Sequence, residues 1–181
     1  MDVLEAIRTR RSIRKYLPDP VDDKALEQLL EAARQAPSWA NTQCWRFVVV
    51  RDSATKGKLS DTLSETNPAR DAMRNAPLVI VACAQLGKAG LKEGQVRTDK
   101  GDWFMFDVAL AMHNLVLAAH SLGLGTVYVG LFDAKEAARI LAVPEGYCVV
   151  AMTPLGHPAE VKDARPRKEL SEIVFYDRWG A

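Results

Sequence analysis

From Trp103 to Leu122, 15 of 20 residues are apolar, and at helical spacing they fall on every side of the cylinder rather than along one stripe. Such a helix needs cover all round. Asp107, His113, Asn114 and His120 hold its longest unbroken apolar run to five residues, too short for a bilayer, so it reads as a buried helix ending at Gly123. One body of 181 residues can hardly surround it. A second copy of the chain is the simplest cover, and a homodimer built around this helix is expected.

The remaining segments read as a mixed α+β order. Asp2 with Glu5 three residues on caps a helix over Asp2–Thr9, and Leu26, Leu29, Leu30 and Ala33 recur at helical spacing over Asp22–Gln35, before Pro37. Phe47–Val50 and Leu78–Ala84 are too continuously apolar for strands with a wet face and belong to a covered sheet. Between them lie helical pieces at Ser53–Leu63, with Ser53 as its cap, and Ala69–Asn75. A polar loop punctuated by Gly87, Gly90, Gly94 and Gly101 suits a lid. Asp133 with Glu136 opens a helix to Leu141, Tyr147–Pro154 reads as a strand, and Ile173–Tyr176 as a last short one. No repeat or linker interrupts 1–181, which reads as a single domain.

Charge excludes some partners. With 24 Lys+Arg against 23 Asp+Glu there is no protein-wide field to hold nucleic acid or an anionic membrane. Cys44, Cys83 and Cys148 form no CxxC pair, and the opening Met1–Glu5 is acidic before any apolar run, which together suit the cytoplasm. No GxGxxG or P-loop is present, the SxxK at Ser53–Lys56 lacks its companion motifs, and the histidines have no acidic partner at metal spacing. Neither a metal site nor a catalytic nucleophile–base pair is expected.

The basic residues are unevenly placed. Arg8, Arg10, Arg11, Arg14 and Lys15 fall within eight residues free of acids, and Lys162, Arg165, Arg167 and Lys168 crowd near the other end. In an extended segment Arg10, Ser12 and Arg14 point the same way, two guanidinium forks and a hydroxyl suited to a phosphate. The loop Pro37–Trp45 gathers Ser38, Asn41 and Gln43 beside tryptophans, and the two amides offer a donor and an acceptor each to a flat heteroaromatic ring. From its residues alone, a plain turn with an aromatic anchor explains that loop better.

Four segments in order, Ile7–Arg14, Ala36–Pro37–Ser38 through Asn41, Gln43 and Trp45, Leu117–Ala119 with Gly123–Thr126, and Pro166–Arg167–Lys168, resemble the nitroreductase family of FMN-dependent oxidoreductases. The resemblance implies an α+β fold with a mostly antiparallel central sheet flanked by helices, dimerising around a long buried central helix. It implies FMN at the subunit interface and a C-terminal tail embracing the partner. Carried over, it makes Arg10, Arg11, Ser12, Arg14, Arg165 and Arg167 ligands of the phosphate and ribityl chain. It lays Pro37, Ser38, Asn41 and Gln43 along the flavin, partly from the second subunit, and brings Val129–Gly130 to the ring through backbone contacts. Cys44 stands where the family usually has proline.

The implied activity is hydride transfer from NADH or NADPH through bound FMN to a nitroaromatic, quinone or similar flat acceptor, in a ping-pong cycle that the flavin rather than a side chain carries. Two other readings stand beside it: a flavin-binding carrier without NAD(P)H turnover, which differs in class, and a specialised dehalogenating or flavin-modifying member of the same family.

Overall fold

The structure, a computed structural model, describes residues 1–180. Its elements run α1 (Val3–Thr9), α2 (Asp23–Arg34), β1 (Trp45–Val50), α3 (Ser53–Asp61), α4 (Arg70–Asn75), β2 (Leu78–Gln85), β3 (Leu91–Lys92), β4 (Gln95–Val96), α5 (Phe104–Ser121), β5 (Gly125–Thr126), α6 (Ala134–Ile140) and β6 (Tyr147–Gly156), with 3-10 turns at Trp39–Asn41 and Leu170–Glu172. A four-stranded sheet, in the order β1-β2-β6-β5, is antiparallel at every ladder.

Both faces of that sheet are covered, and β2 shows how. Leu78, Ile80, Ala82 and Ala84 point into a core shared with α2 and α5, while Val79, Val81 and Cys83 enter a second core with α3, α4 and α6. Successive side chains on a strand face opposite sides, so a strand buried on both faces must be apolar, as β2 is from Leu78 to Ala84. Aspartates start four of the helices: the carboxylates of Asp2, Asp22, Asp52 and Asp133 accept the otherwise unpaired N–H groups of the first turns.

Helix α5 buries one face, formed by Val108, Ala111, Met112, Leu115, Val116 and Ala119, against the sheet and α2. On the opposite face Phe106 stays 55% exposed in a single chain, and Met105 in the first turn 57%. Two sequence expectations are corrected. The cap of α3 is Asp52, whose carboxylate takes the Thr55 N–H at 2.7 Å, and Ser53 is already inside the helix. Ile173–Tyr176 forms no strand; these residues follow a 3-10 turn with their side chains exposed and no neighbouring strand to complete a ladder. The segment 87–103 carries the small β3–β4 hairpin and is pinned at its base, where the Trp103 indole donates to Thr98 Oγ1 at 2.7 Å and the Gly87 N–H to Asp102 at 2.7 Å.

Candidate flavin site

The first basic segment is held by its one buried residue. Ile13 is 5% exposed and its N–H donates to the Thr126 carbonyl of β5 at 2.9 Å, while the Tyr16 hydroxyl donates to the Ile13 carbonyl at 2.7 Å. Glycine at 125 is a steric requirement: a Cβ there would come within 2.7 Å of the Ile13 side chain. With Ile13 turned inward, the arginines beside it turn out.

They turn into a cavity of about 440 Å³ lined by Arg10, Arg11, Ser12, Arg14, Pro68, Lys162, Asp163, Arg165 and Arg167. The two basic clusters, about 150 residues apart in sequence, thus meet in one place. Among the described residues none of these five arginines is in an ion pair; Arg11 and Arg167 donate only to nearby backbone carbonyls. Five guanidiniums outside any ion pair and a hydroxyl, against the single carboxylate of Asp163, form a donor set for a multiply charged oxyanion, and it fits the terminal phosphate of FMN.

The second half of the site is the loop after α2. Asp107, fully buried at the start of α5, accepts the Trp39 N–H on both carboxylate oxygens at 3.0 and 3.1 Å. Its Oδ2 also accepts from the Thr42 hydroxyl at 3.4 Å and the Cys44 thiol at 3.8 Å. Burial, with the Asp107 carboxylate beside it, pushes the Cys44 thiol up to about 12, so it stays a thiol and a donor. The Gln43 N–H donates to Ser38 Oγ and the Gln43 amide to Asn41 Oδ1, each at 3.0 Å. Exposed Asn41 and Gln43 therefore keep one amide donor and one amide acceptor for a ligand.

In one chain these halves do not meet. The arginine segment is tied to the C-terminal end of α5, where Thr9 pairs with His120, and the loop to its N-terminal end through Asp107. Thirteen residues at 1.5 Å each separate those anchors by about 20 Å. Val129, expected to touch a ring through its backbone, has both its N–H and its carbonyl bonded to Met152 at 2.9 and 3.0 Å; exposed Gly130 beside it is the accessible backbone there. Asp107, Lys162 and Pro68 join the site residues that the sequence indicates. Asp107 had a signal: a carboxylate set in an otherwise apolar helix needs a buried partner.

Comparison with known proteins agrees with this geometry. A sequence model described as the nitroreductase family matches residues 7–73 and 60–157. A protein of Methanothermobacter thermautotrophicus, named for NADH dehydrogenase and NAD(P)H nitroreductase, is 35% identical over 99% of this chain and 88% of its own length. The 5,6-dimethylbenzimidazole synthase of Rhodospirillum rubrum is 32% identical over 98% of this chain and 90% of its own. In structure, the NADPH:FMN oxidoreductase of Vibrio harveyi, solved with NAD⁺, superposes with a TM-score of 0.85 at 27% identity, over 99% of this chain and 78% of that one. The converging arginines, the antiparallel sheet and these matches along nearly the whole chain place it in the nitroreductase family.

Proposed function

We propose that this chain is a cytoplasmic, homodimeric, FMN-dependent oxidoreductase in which residues 1–181 act as one FMN-binding unit. It would take reducing equivalents from NADH or NADPH and pass them to a nitroaromatic, quinone or other flat acceptor. The observation that carries the reading is the convergence of Arg10, Arg11, Arg14, Arg165 and Arg167 on one cavity without carboxylate partners.

When bound, FMN supplies the hydride chemistry that no side chain here can perform. The arginines and Ser12 hold the phosphate end by charge-assisted hydrogen bonds. Pro37, Ser38, Asn41 and Gln43 line the ring end, with Asn41 and Gln43 matching polar ring edges and Gly130 offering backbone. The separation of the halves along α5 supports a site closed by a second copy, the arginines of one protomer facing the loop of the other. The exposed apolar residues of a lone chain support the same arrangement: Leu4 on α1, Phe106 on α5, and Phe175, Tyr176 and Trp179 in the tail.

The test is an absorbance spectrum of the purified protein before and after anaerobic NADH or NADPH, with chromatography of the flavin released on denaturation. A yellow protein that bleaches and releases FMN supports the proposal. A protein that takes up no FMN refutes it, and one that binds FMN but does not bleach is a carrier. Sedimentation at low concentration should show a dimer. The similarity to a dimethylbenzimidazole synthase favours a second, flavin-modifying reading. It predicts loss of FMN and appearance of a benzimidazole when the reduced protein meets oxygen.

A further inference from the structure

Asp107 is an expensive residue for its place. It is a fully buried carboxylate whose partners are all neutral: one backbone N–H, one hydroxyl and one thiol. Burying a carboxylate without a cation costs far more than a neutral turn residue would. The loop it holds carries a second cost. Ala40, Asn41 and Gln43 have φ of 44°, 56° and 47°, the left-handed region that side chains other than glycine's disfavour. Such conformations persist only where surrounding contacts over-determine them.

The contacts that do so converge on Asp107. Trp39 N–H fixes the start of the strained stretch, the Thr42 hydroxyl its middle, and Cys44 Sγ its end, while Ser38 Oγ closes the turn from inside by accepting the Gln43 N–H. Cys44 is fully buried, with its carbonyl taking the Gln85 N–H at 2.8 Å, so the loop runs straight into the sheet. What remains outside is the pair of exposed amides at Asn41 and Gln43, locked to each other at 3.0 Å. A turn needed only to join α2 to β1 requires neither the buried charge nor three left-handed residues in four. A turn that must present two amides in a fixed orientation does.

We propose that Asp107 is a positioning residue: from the first turn of α5 it holds the 38–44 backbone in the one shape that sets Asn41 and Gln43 for the ring end of the flavin, and Cys44 adds a thiol donor to that clamp. This rests on the flavin reading above. Asparagine at 107 keeps the size and one acceptor for the Trp39 N–H but turns an amide donor toward a hydroxyl and a thiol that already donate. The loop then loses its single shape, and ring-end affinity falls without any change at the arginines.

The experiment compares two flavins that differ at one end. FMN and riboflavin share the ring and ribityl chain, and only FMN carries the phosphate. Titrated into flavin-stripped protein, Asp107→Asn should weaken both by the same factor, about tenfold, with native circular dichroism and faster amide exchange confined to 38–44. Arg10→Ala should weaken FMN by a much larger factor than riboflavin. If Asp107→Asn does not fold, Thr42→Val and Cys44→Ala, which leave both Trp39 bonds in place, should each weaken the two flavins equally and by less. Folded Asp107→Asn with wild-type affinity for both flavins, or with a loss for FMN alone, overturns the proposal, as do wild-type affinities in both fallback variants. A wild-type chain that binds neither flavin overturns the flavin reading itself, an outcome distinct from the others.

Discussion

His120 Nε2 donates to the Thr9 hydroxyl oxygen at 2.8 Å, because the Thr9 proton is already committed to the Glu5 carbonyl at 2.7 Å. This joins α1 to the end of α5 and fixes the neutral imidazole as the Nε2–H tautomer. Burial first, then the guanidiniums of Arg10 and Arg11, hold His120 below its ordinary value of 6.5, with Glu5 opposing them. The unfolded chain therefore binds this proton at a higher pH than the folded one. Stability contributed here is complete above about 6.5 and declines as pH falls through the window below it. Urea midpoints across the mildly acidic range should drop on acidification, and His120→Gln, which keeps a donor for Thr9, should flatten that slope. An unchanged slope in the variant would show that other groups carry it.

The cavity arginines should act on the cofactor and not on the fold. Arg10→Ala and Arg167→Ala each remove a charge-assisted donor worth roughly 1.5–3 kcal/mol, so FMN affinity should fall about tenfold to a hundredfold. Because neither side chain has a carboxylate partner, thermal stability without flavin should stay within about 0.5 kcal/mol of wild type. Fluorescence titration with FMN and a melting curve decide it. Native FMN affinity in both variants would leave the clusters as solvated faces.

Gly125→Ala tests how the arginine segment is mounted. The added methyl would meet Ile13 Cγ1, Cβ and Cγ2 at 2.7 to 2.8 Å, and the neighbouring atoms belong to a buried side chain rather than a flexible tip. Overpacking of this kind costs about 1–3 kcal/mol. It should also push the Arg10–Arg14 backbone off β5 and weaken FMN binding. Ile13→Ala costs stability by itself, but the double variant should be less destabilised than the sum of the two, since each substitution relieves the other. Strict additivity in urea unfolding would show that the close approach is not the cause.

Much of this architecture could be read from spacing alone. The helices at 2–9 and 22–35, the covered strands and the long apolar helix all appear where periodicity and caps place them, because those signals are local. What escaped was non-local. Ile173–Tyr176 has the β-branched and aromatic residues of a strand, yet a strand exists only beside a partner, and none lies there among the described residues. The two-residue strand β5 forms because β6 and the Ile13 segment come alongside it, which no window around Gly125 reveals. In the site, the arginine clusters were conspicuous because acids are missing around them. In the sequence Asp107 is only an interruption of an apolar helix, since its meaning lies in a loop 65 residues away.

The last expectation concerns the order of substrates. The chain has no dinucleotide fingerprint, and its four-stranded sheet is occupied on both faces by its own helices, so the described residues form no second nucleotide fold to hold NAD(P)H apart from the acceptor. Donor and acceptor would then have to use the same opening beside Asn41, Gln43 and Gly130, one after the other. The donor must leave before the acceptor arrives, which is the condition for a ping-pong cycle. Initial rates against NADH at several fixed concentrations of a quinone or nitroaromatic should give parallel double-reciprocal lines, and excess acceptor should compete with NADH. A flat, unreactive aromatic that binds the oxidised enzyme should compete with NADH, because both need the same space. Neither Asn41→Ala nor Gln43→Ala should abolish turnover, as neither side chain moves the hydride, but KM should rise for donor and acceptor together. Converging lines, or an excess of acceptor that fails to compete with NADH, would require two sites and end the single-opening account.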